Sequence, residues 1–183
     1  CESFYENSTG GSTRVTSIAI RNLQSAQTKS WSIHKAAELQ GCLGAINENF
    51  PALEKAMLEG YFDFLRQNSG CRFLHWNMRD ENYGFFALEH RYRTLGGIPF
   101  ELQDDRKVDL ARILVSIYGR QYASHTSESG RKGRIFSIVE LNKIADKDGL
   151  TGAQEAEAFE KGEYLKLHQS TLRKLDMFCN IFE

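Results

Sequence analysis

The eleven residues from His75 to Phe85 combine polar, titratable and aromatic side chains between a short apolar run and a long segment of helical periodicity. A packed core rarely contains so many polar groups, so this stretch is the first candidate for a functional site. The carboxyl group of Asp80 and the amide of Asn82 lie just past a predicted strand and beside a predicted helix start. Open α/β sheets tend to bind ligands at that place.

The same residues also have a purely structural interpretation. Asp80 to Asn82 would cap the following helix, while His75 and Trp76 would pack inward as strand side chains. The five histidines show no spacing typical of a metal site, and Gly10-Gly11 lacks the lysine of a phosphate-binding loop.

The elements that would position these groups follow from periodicity. Residues 15–21 form a β-branched, alternating run and residues 30–34 alternate again, which predicts two strands of a hairpin. Apolar residues at three- and four-residue steps predict a helix from Asn49 to Gly70, and a second helix starts near Phe85. A third helix over residues 105–122 is apolar on two faces and is expected to be buried.

The C-terminal third is predicted to be helical. Residues 135–144 form one helix, Thr151 and Gln154 form a capping box that opens a short acidic helix, and residues 165–182 form an amphipathic helix. Residues 124–134 are expected to form a mobile, basic loop. A crossover helix between strands implies an α/β fold with a parallel pair of strands.

Composition sets the broad class. A length of 183 residues suits one domain over 1–183, with 151–183 as its helical C-terminal part. The 23 basic and 24 acidic residues nearly balance, so a nucleic-acid surface must be local, and the apolar runs are too short to cross a membrane. Four scattered cysteines without a C-x-x-C pair favour a reducing, cytoplasmic setting.

The order of elements and several motifs resemble the RNase H-like 3'-to-5' exonuclease superfamily, whose active site is built from four acidic residues. Residues 4–11 and 15–20 look like its first strand, Thr-Gly turn and second strand, and residues 54–77 look like a helix leading into a strand that ends in Asn77. Residues 83–91 are similar to the family's second-motif helix start, and residues 167–176 to its final helix, whose Asp, here Asp176, completes the site. The resemblance implies an RNase H-like mixed sheet flanked by helices.

The resemblance also implies hydrolysis of nucleic-acid phosphodiesters by two metal ions, Mg²⁺ or Mn²⁺, held by carboxylates. Asp176 stands in place, but Gly84 stands at the second-motif acid, and Tyr5 and Asn7 stand at the first-strand acids, which leaves Glu6 on the opposite face unless the strand is bulged. The substitute site would use Asp176, Glu6 and Asp80 as metal ligands, with His168 as a proton shuttle.

Two functions therefore stay open on this fold: a divalent-metal-dependent nuclease, and a catalytically inactive module that binds nucleic acid or protein. DNA or RNA would be contacted by Asn77, Asn82 and Tyr83, between the predicted strand and the helix that starts near Phe85. The basic loop would add Arg131, Lys132 and Arg134 as phosphate contacts. An unrelated α/β sensor domain is the third interpretation.

Overall fold

The computed structural model describes residues 13–80, 83–145 and 149–183, and for Asp80 and Tyr83 it describes the backbone alone. Its strands are β1 Ser17–Arg21, β2 Thr28–Ser32, β3 Phe73–His75, β4 Arg79–Asp80, β5 Tyr83–Gly84 and β6 Lys107–Asp109. Its helices are α1 Ile33–Leu39, α2 Ile46–Gln67, α3 Phe85–Thr94, α4 Leu110–Tyr118, α5 Arg134–Leu141, α6 Gly152–Glu160 and α7 Tyr164–Phe182. The mixed α/β class is thus confirmed, with helices predominating.

The described strands form three two-stranded sheets. β1 pairs with β2 and β4 with β5 in antiparallel ladders, and β3 pairs with β6 in a parallel ladder. The hairpin of β1 and β2 is confirmed, but its second strand ends at Ser32. The Ser32 hydroxyl accepts from the Lys35 N–H and caps α1, so His34 lies in a helix.

The main core is built on α2. Its apolar residues recur at three- and four-residue steps, which places them on one face of the helix. The buried members are Phe50, Leu53, Met57, Leu58, Tyr61, Phe62 and Leu65. Pro51 is the sixth residue of α2 and has no N–H, so the Asn47 carbonyl lacks the hydrogen bond that the helix would otherwise give it.

An ion pair is buried beside this core. Glu54 is 0% exposed, and its carboxylate accepts from Arg91 Nε at 2.9 Å and from the backbone N–H of Val15 at 2.6 Å. The second carboxylate oxygen accepts from another Arg91 nitrogen at 2.5 Å. The pair therefore connects α2, α3 and the segment that enters β1.

The last helix, α7, packs across β1 and contributes Leu167, which is 2% exposed, to the main core. Its second half forms a smaller cluster with α5, in which Met177 is completely buried against Phe136 and Val139. α6 begins with the predicted capping box of Thr151 and Gln154. Throughout the described ranges, the helices are either too short or too polar to span a bilayer.

The prediction that the third helix is buried on two faces is wrong. The helix α4 is shorter than predicted, because Gly119, at φ 82°, ends it, and Leu110 is its one buried residue. Ile117 and Tyr118 are 65% and 69% exposed. The helix thus presents an apolar surface to solvent.

Candidate functional site

The carboxyl ends of β3 and β6 meet at one edge because the two strands are parallel. Their register places His75 opposite Asp109 at the last pair of the ladder. The chain then turns through Asn77 and returns as β4, which begins at Arg79. These four residues form what we call the strand-end corner.

Asp109 is the acceptor at the centre of the strand-end corner, where it is 9% exposed. Its Oδ1 accepts from the backbone N–H of Asn77 at 3.2 Å and of Ala111 at 3.0 Å, the second of which caps α4. Its Oδ2 accepts from Nε of Arg79. Burial by itself would raise the pKa of Asp109, but the hydrogen bonds from Arg79 and Asn77 hold it below its usual value.

His75 is 4% exposed, and its Nδ1 accepts from the N–H of Met78 at 3.2 Å. This hydrogen bond places the proton of the neutral ring on Nε2. Burial, as the main cause, lowers the pKa of His75, so the imidazole is neutral at pH 7. The ring also contacts Phe85 edge to face, at 5.3 Å between centroids. The inward packing proposed for His75 in the structural interpretation is therefore correct.

The turn after β3 depends on a left-handed residue. Asn77 has φ 54°, a conformation that asparagine tolerates better than most residues, and its side-chain oxygen accepts from the Arg79 guanidinium at 3.0 Å. The predicted strand ends two residues early, at His75, so Asn77 lies in the turn after β3. Its role in the structure is to orient Arg79 and to donate to Asp109.

Gly84 stands where the resemblance would place an acid. It lies at the N-cap position of α3 with φ 122°, and a Cβ built there would lie 2.4 Å from the carbonyl oxygen of Met78. Neither the backbone angle nor the space admits an aspartate in this conformation. The N-cap position of α3 thus falls to Gly84 and not to any of residues 80–82.

Asp176 lies on α7 with its carboxylate already engaged. Oδ1 accepts from Arg21 of β1 at 2.5 Å, and Oδ2 lies 3.7 Å from Arg173. The neighbouring turn of α7 contacts the segment that follows β3, because Phe178 meets Trp76 edge to face at 6.4 Å between centroids.

His168 lies away from Asp176 on the same helix. It precedes Asp176 by eight residues on α7, which corresponds to about 12 Å along the helix axis. Its Nε2 lies 2.9 Å from the hydroxyl of Ser30 in β2. Burial first, and then the nearby charges of Lys35 and His34, lower the pKa of His168. Its role as a proton shuttle stays a prediction, since Glu6 lies outside the described residues and Asp80 is described by its backbone.

The basic loop is folded against the domain. Arg131 donates to the carbonyl of Gly149 at 2.7 Å and stacks on Phe136, with 3.9 Å to the ring centroid. Arg134 donates to the carbonyl of Arg120 at 3.0 Å. Lys132 is exposed, and its backbone bridges Thr126. The two arginines therefore anchor the loop, and Lys132 is the exposed cation of this group.

The described residues do not fit a two-metal centre. Of the predicted ligands, Glu6 lies outside the described residues, as does Asn82 among the predicted nucleic-acid contacts, and Asp80 is described by its backbone, which pairs with Tyr83. Asp176 is held by arginine, as described above. Within residues 13–80, 83–145 and 149–183, no three side chains of His, Cys, Asp or Glu are grouped to hold a metal ion.

The sequence indicated the segment around His75 and Asn77, but it did not predict the ion pairs of Arg79 with Asp109 and of Arg21 with Asp176. His75 and Asp109 lie on strands of three residues each, too short for alternation to be visible. The pairing of Arg21 with Asp176 spans 155 residues, and local patterns contain no information on such contacts. A usable signal existed for Asp109, which stands immediately before a strongly apolar helix and so has the position of an N-cap.

Comparison of the chain with protein-family models, with curated proteins and with solved structures gives no match in any of the three.

Proposed function

We propose that the chain is an RNase H-like domain that binds single-stranded nucleic acid at the strand-end corner and does not hydrolyse it. The observation that carries the proposal is that two carboxylates, one at the strand-end corner and one on α7, are each paired with an arginine. Arg79 is paired with Asp109 and Arg21 with Asp176. A metal ion would have to displace both guanidinium groups before those carboxylates became ligands.

The two paired arginines, Arg79 and Arg21, suit a phosphate partner. A guanidinium group that is held by a carboxylate still has further N–H donors in its plane, and their geometry matches phosphate oxygens. The side chains of Arg79 and Arg21 are 41% and 26% exposed, so both are accessible to a ligand. The carboxyl edge of parallel strands is also the usual ligand-binding edge of α/β folds.

The first experiment measures binding of fluorescein-labelled 20-nucleotide DNA and RNA single strands by anisotropy, between 50 and 200 mM salt. We expect Arg79→Gln and Arg21→Gln each to weaken binding about fivefold at 0.1 M salt, and to reduce the salt slope by about 0.7, as the loss of one phosphate contact predicts. Arg66→Gln is the matched control, because Arg66 is an exposed arginine that pairs with Asp63 on α2. Circular dichroism of each variant establishes that it is folded.

The hydrolysis alternative is tested on the same strands. The wild-type chain is incubated with Mg²⁺ or Mn²⁺, and products are separated on denaturing gels, with Asp176→Asn as the comparison. We expect intact strands throughout. Degradation by the wild type that Asp176→Asn abolishes would replace the binding proposal with the nuclease, whereas absence of binding at 50 mM salt would reject the nucleic-acid partner altogether.

A further inference from the structure

The helix α4 leaves the strand-end corner directly, because Asp109 both ends β6 and caps the helix. After its first residue the helix is half-buried or exposed, and the exposed fraction reaches 38% at Ile113 and 65% at Ile117. Aliphatic side chains four residues apart lie on one helix face. This exposed face, which we call the α4 surface, is therefore continuous with the corner.

Charge along α4 and the residues that follow it has one sign. From Leu110 to Ser127 the chain contains Arg112, on α4, and Arg120, just past the Gly119 that ends the helix, but no aspartate or glutamate. Both arginines are exposed, and among the described residues neither forms an ion pair with an acid. A symmetric pairing of two copies through this short helix would bring like charges together, so a second copy is disfavoured as the partner. An anionic partner is favoured.

An exposed aromatic ring narrows the class of anionic partner. Tyr118 is 69% exposed at the end of α4, between the two arginines in sequence. Single-stranded nucleic acid is bound by basic side chains that contact the backbone together with aromatic rings on which bases stack. Aliphatic side chains such as Ile117 add apolar surface against which a base or sugar packs.

We infer that the α4 surface continues the nucleic-acid site, with Arg112 and Arg120 contacting phosphates and Tyr118 stacking on a base. The inference rests on the proposed function, since it extends the strand beyond the strand-end corner. It adds a direction, because the bound strand would run from Arg79 along α4 towards Arg120. It also accounts for the exposure of a helix that the sequence pattern predicts to be buried.

The test uses the full chain and the same labelled 20-nucleotide strands, with Tyr118→Ala compared against Tyr118→Phe. We expect on the order of tenfold weaker binding for Tyr118→Ala and near wild-type binding for Tyr118→Phe, because phenylalanine keeps the stacking ring. Arg112→Gln/Arg120→Gln is expected to reduce the salt slope by about 1.4, the value for two phosphate contacts. Lys161→Gln, a change at the exposed C-cap lysine of α6 that pairs with Glu157, is the control.

The outcomes separate the two proposals. If the wild type binds and Arg79→Gln weakens binding while the α4 variants bind like the wild type, the α4 inference is overturned and the corner remains the site. That result is also the one expected if the α4 surface packs against a protein instead. If the wild type binds no strand, the proposed function and the α4 inference fail together.

Discussion

Removal of the Glu54 carboxylate is expected to be the most damaging single change in the core. Glu54 is fully buried and accepts three hydrogen bonds, two from Arg91 and one from the Val15 N–H. Removing one partner of a buried ion pair costs about 3–5 kcal/mol, and a buried N–H without an acceptor costs about 1–3 kcal/mol. Because water enters the vacated space and relieves part of both terms, Glu54→Ala is expected to lower the free energy of unfolding by about 4 kcal/mol.

Urea denaturation followed by tryptophan fluorescence measures this change. Trp31 contacts Tyr61 of α2 edge to face, at 5.8 Å between centroids, so its emission reports on the core around Glu54. For a slope of about 2 kcal/mol per molar urea, the transition midpoint should fall by about 2 M. Since a domain of this kind is stable by about 5–15 kcal/mol, the variant should still fold in the absence of urea.

Two further variants define the cause. Arg66→Ala removes a pair with Asp63 in which both side chains are about half exposed, and it should cost less than about 0.5 kcal/mol. Glu54→Leu/Arg91→Leu should be less destabilised than Glu54→Ala, because an apolar pair leaves no buried charge without its partner. A loss below about 1 kcal/mol for Glu54→Ala, with an unchanged slope, would refute the reasoning.

Three other predictions concern the turn and the titrating groups. In urea melts, Gly84→Ala should lower the free energy of unfolding by more than about 2 kcal/mol, because Gly84 has a positive φ and an added Cβ would clash with the preceding turn. Gly44→Ala, whose added Cβ meets open space, should change the free energy of unfolding little. Equal losses for the two variants would contradict the steric argument. The pKa of His168 is lowered in the folded chain, so the unfolded chain binds more protons below about pH 6.5 and stability should fall as the pH drops through that value. His168→Gln should remove part of this dependence of the free energy of unfolding on pH. The part due to His75, whose pKa is also lowered, should remain. The pKa of Asp109 is also lowered, so its contribution to stability is complete above about pH 4 and is lost as the pH falls through the pKa of the folded chain. A plot of the free energy of unfolding against pH should therefore be flatter for Asp109→Asn than for the wild type in that range. Parallel plots would contradict the hydrogen-bonded role of Asp109.

The parts of the fold that sequence reasoning predicted are those in which local preference and tertiary packing agree. The periodicity around Leu53 and Tyr61 predicts α2, and the apolar residues of that stripe are the ones that the core buries. The Thr151–Gln154 capping box also forms as predicted, because both of its hydrogen bonds lie within four residues.

Two of the failures come from contacts between distant segments, and one comes from a local helix cap. The apolar pattern of α4 predicts burial, but whether a second surface covers Ile117 depends on the rest of the fold, and in the described residues none does. The alternation of residues 30–34 continues past Ser32, yet the capping hydroxyl of that serine starts a helix instead. Asp176 lies within α7, and its pairing with Arg21 depends on the packing of α7 across β1.

The packing of α7 across β1 has a consequence for synthesis on the ribosome. Ser17 contacts Thr171 at 2.5 Å between hydroxyl oxygens, and these residues are separated by 154 positions in the chain. Leu167, a buried member of the main core, is likewise made well after the hairpin and α2. The nascent chain must therefore hold a hairpin and an open α2 face until α7 leaves the exit tunnel. Chaperone contact during this interval is expected to be directed at that open face, since exposed apolar surface on incomplete domains is what such factors bind.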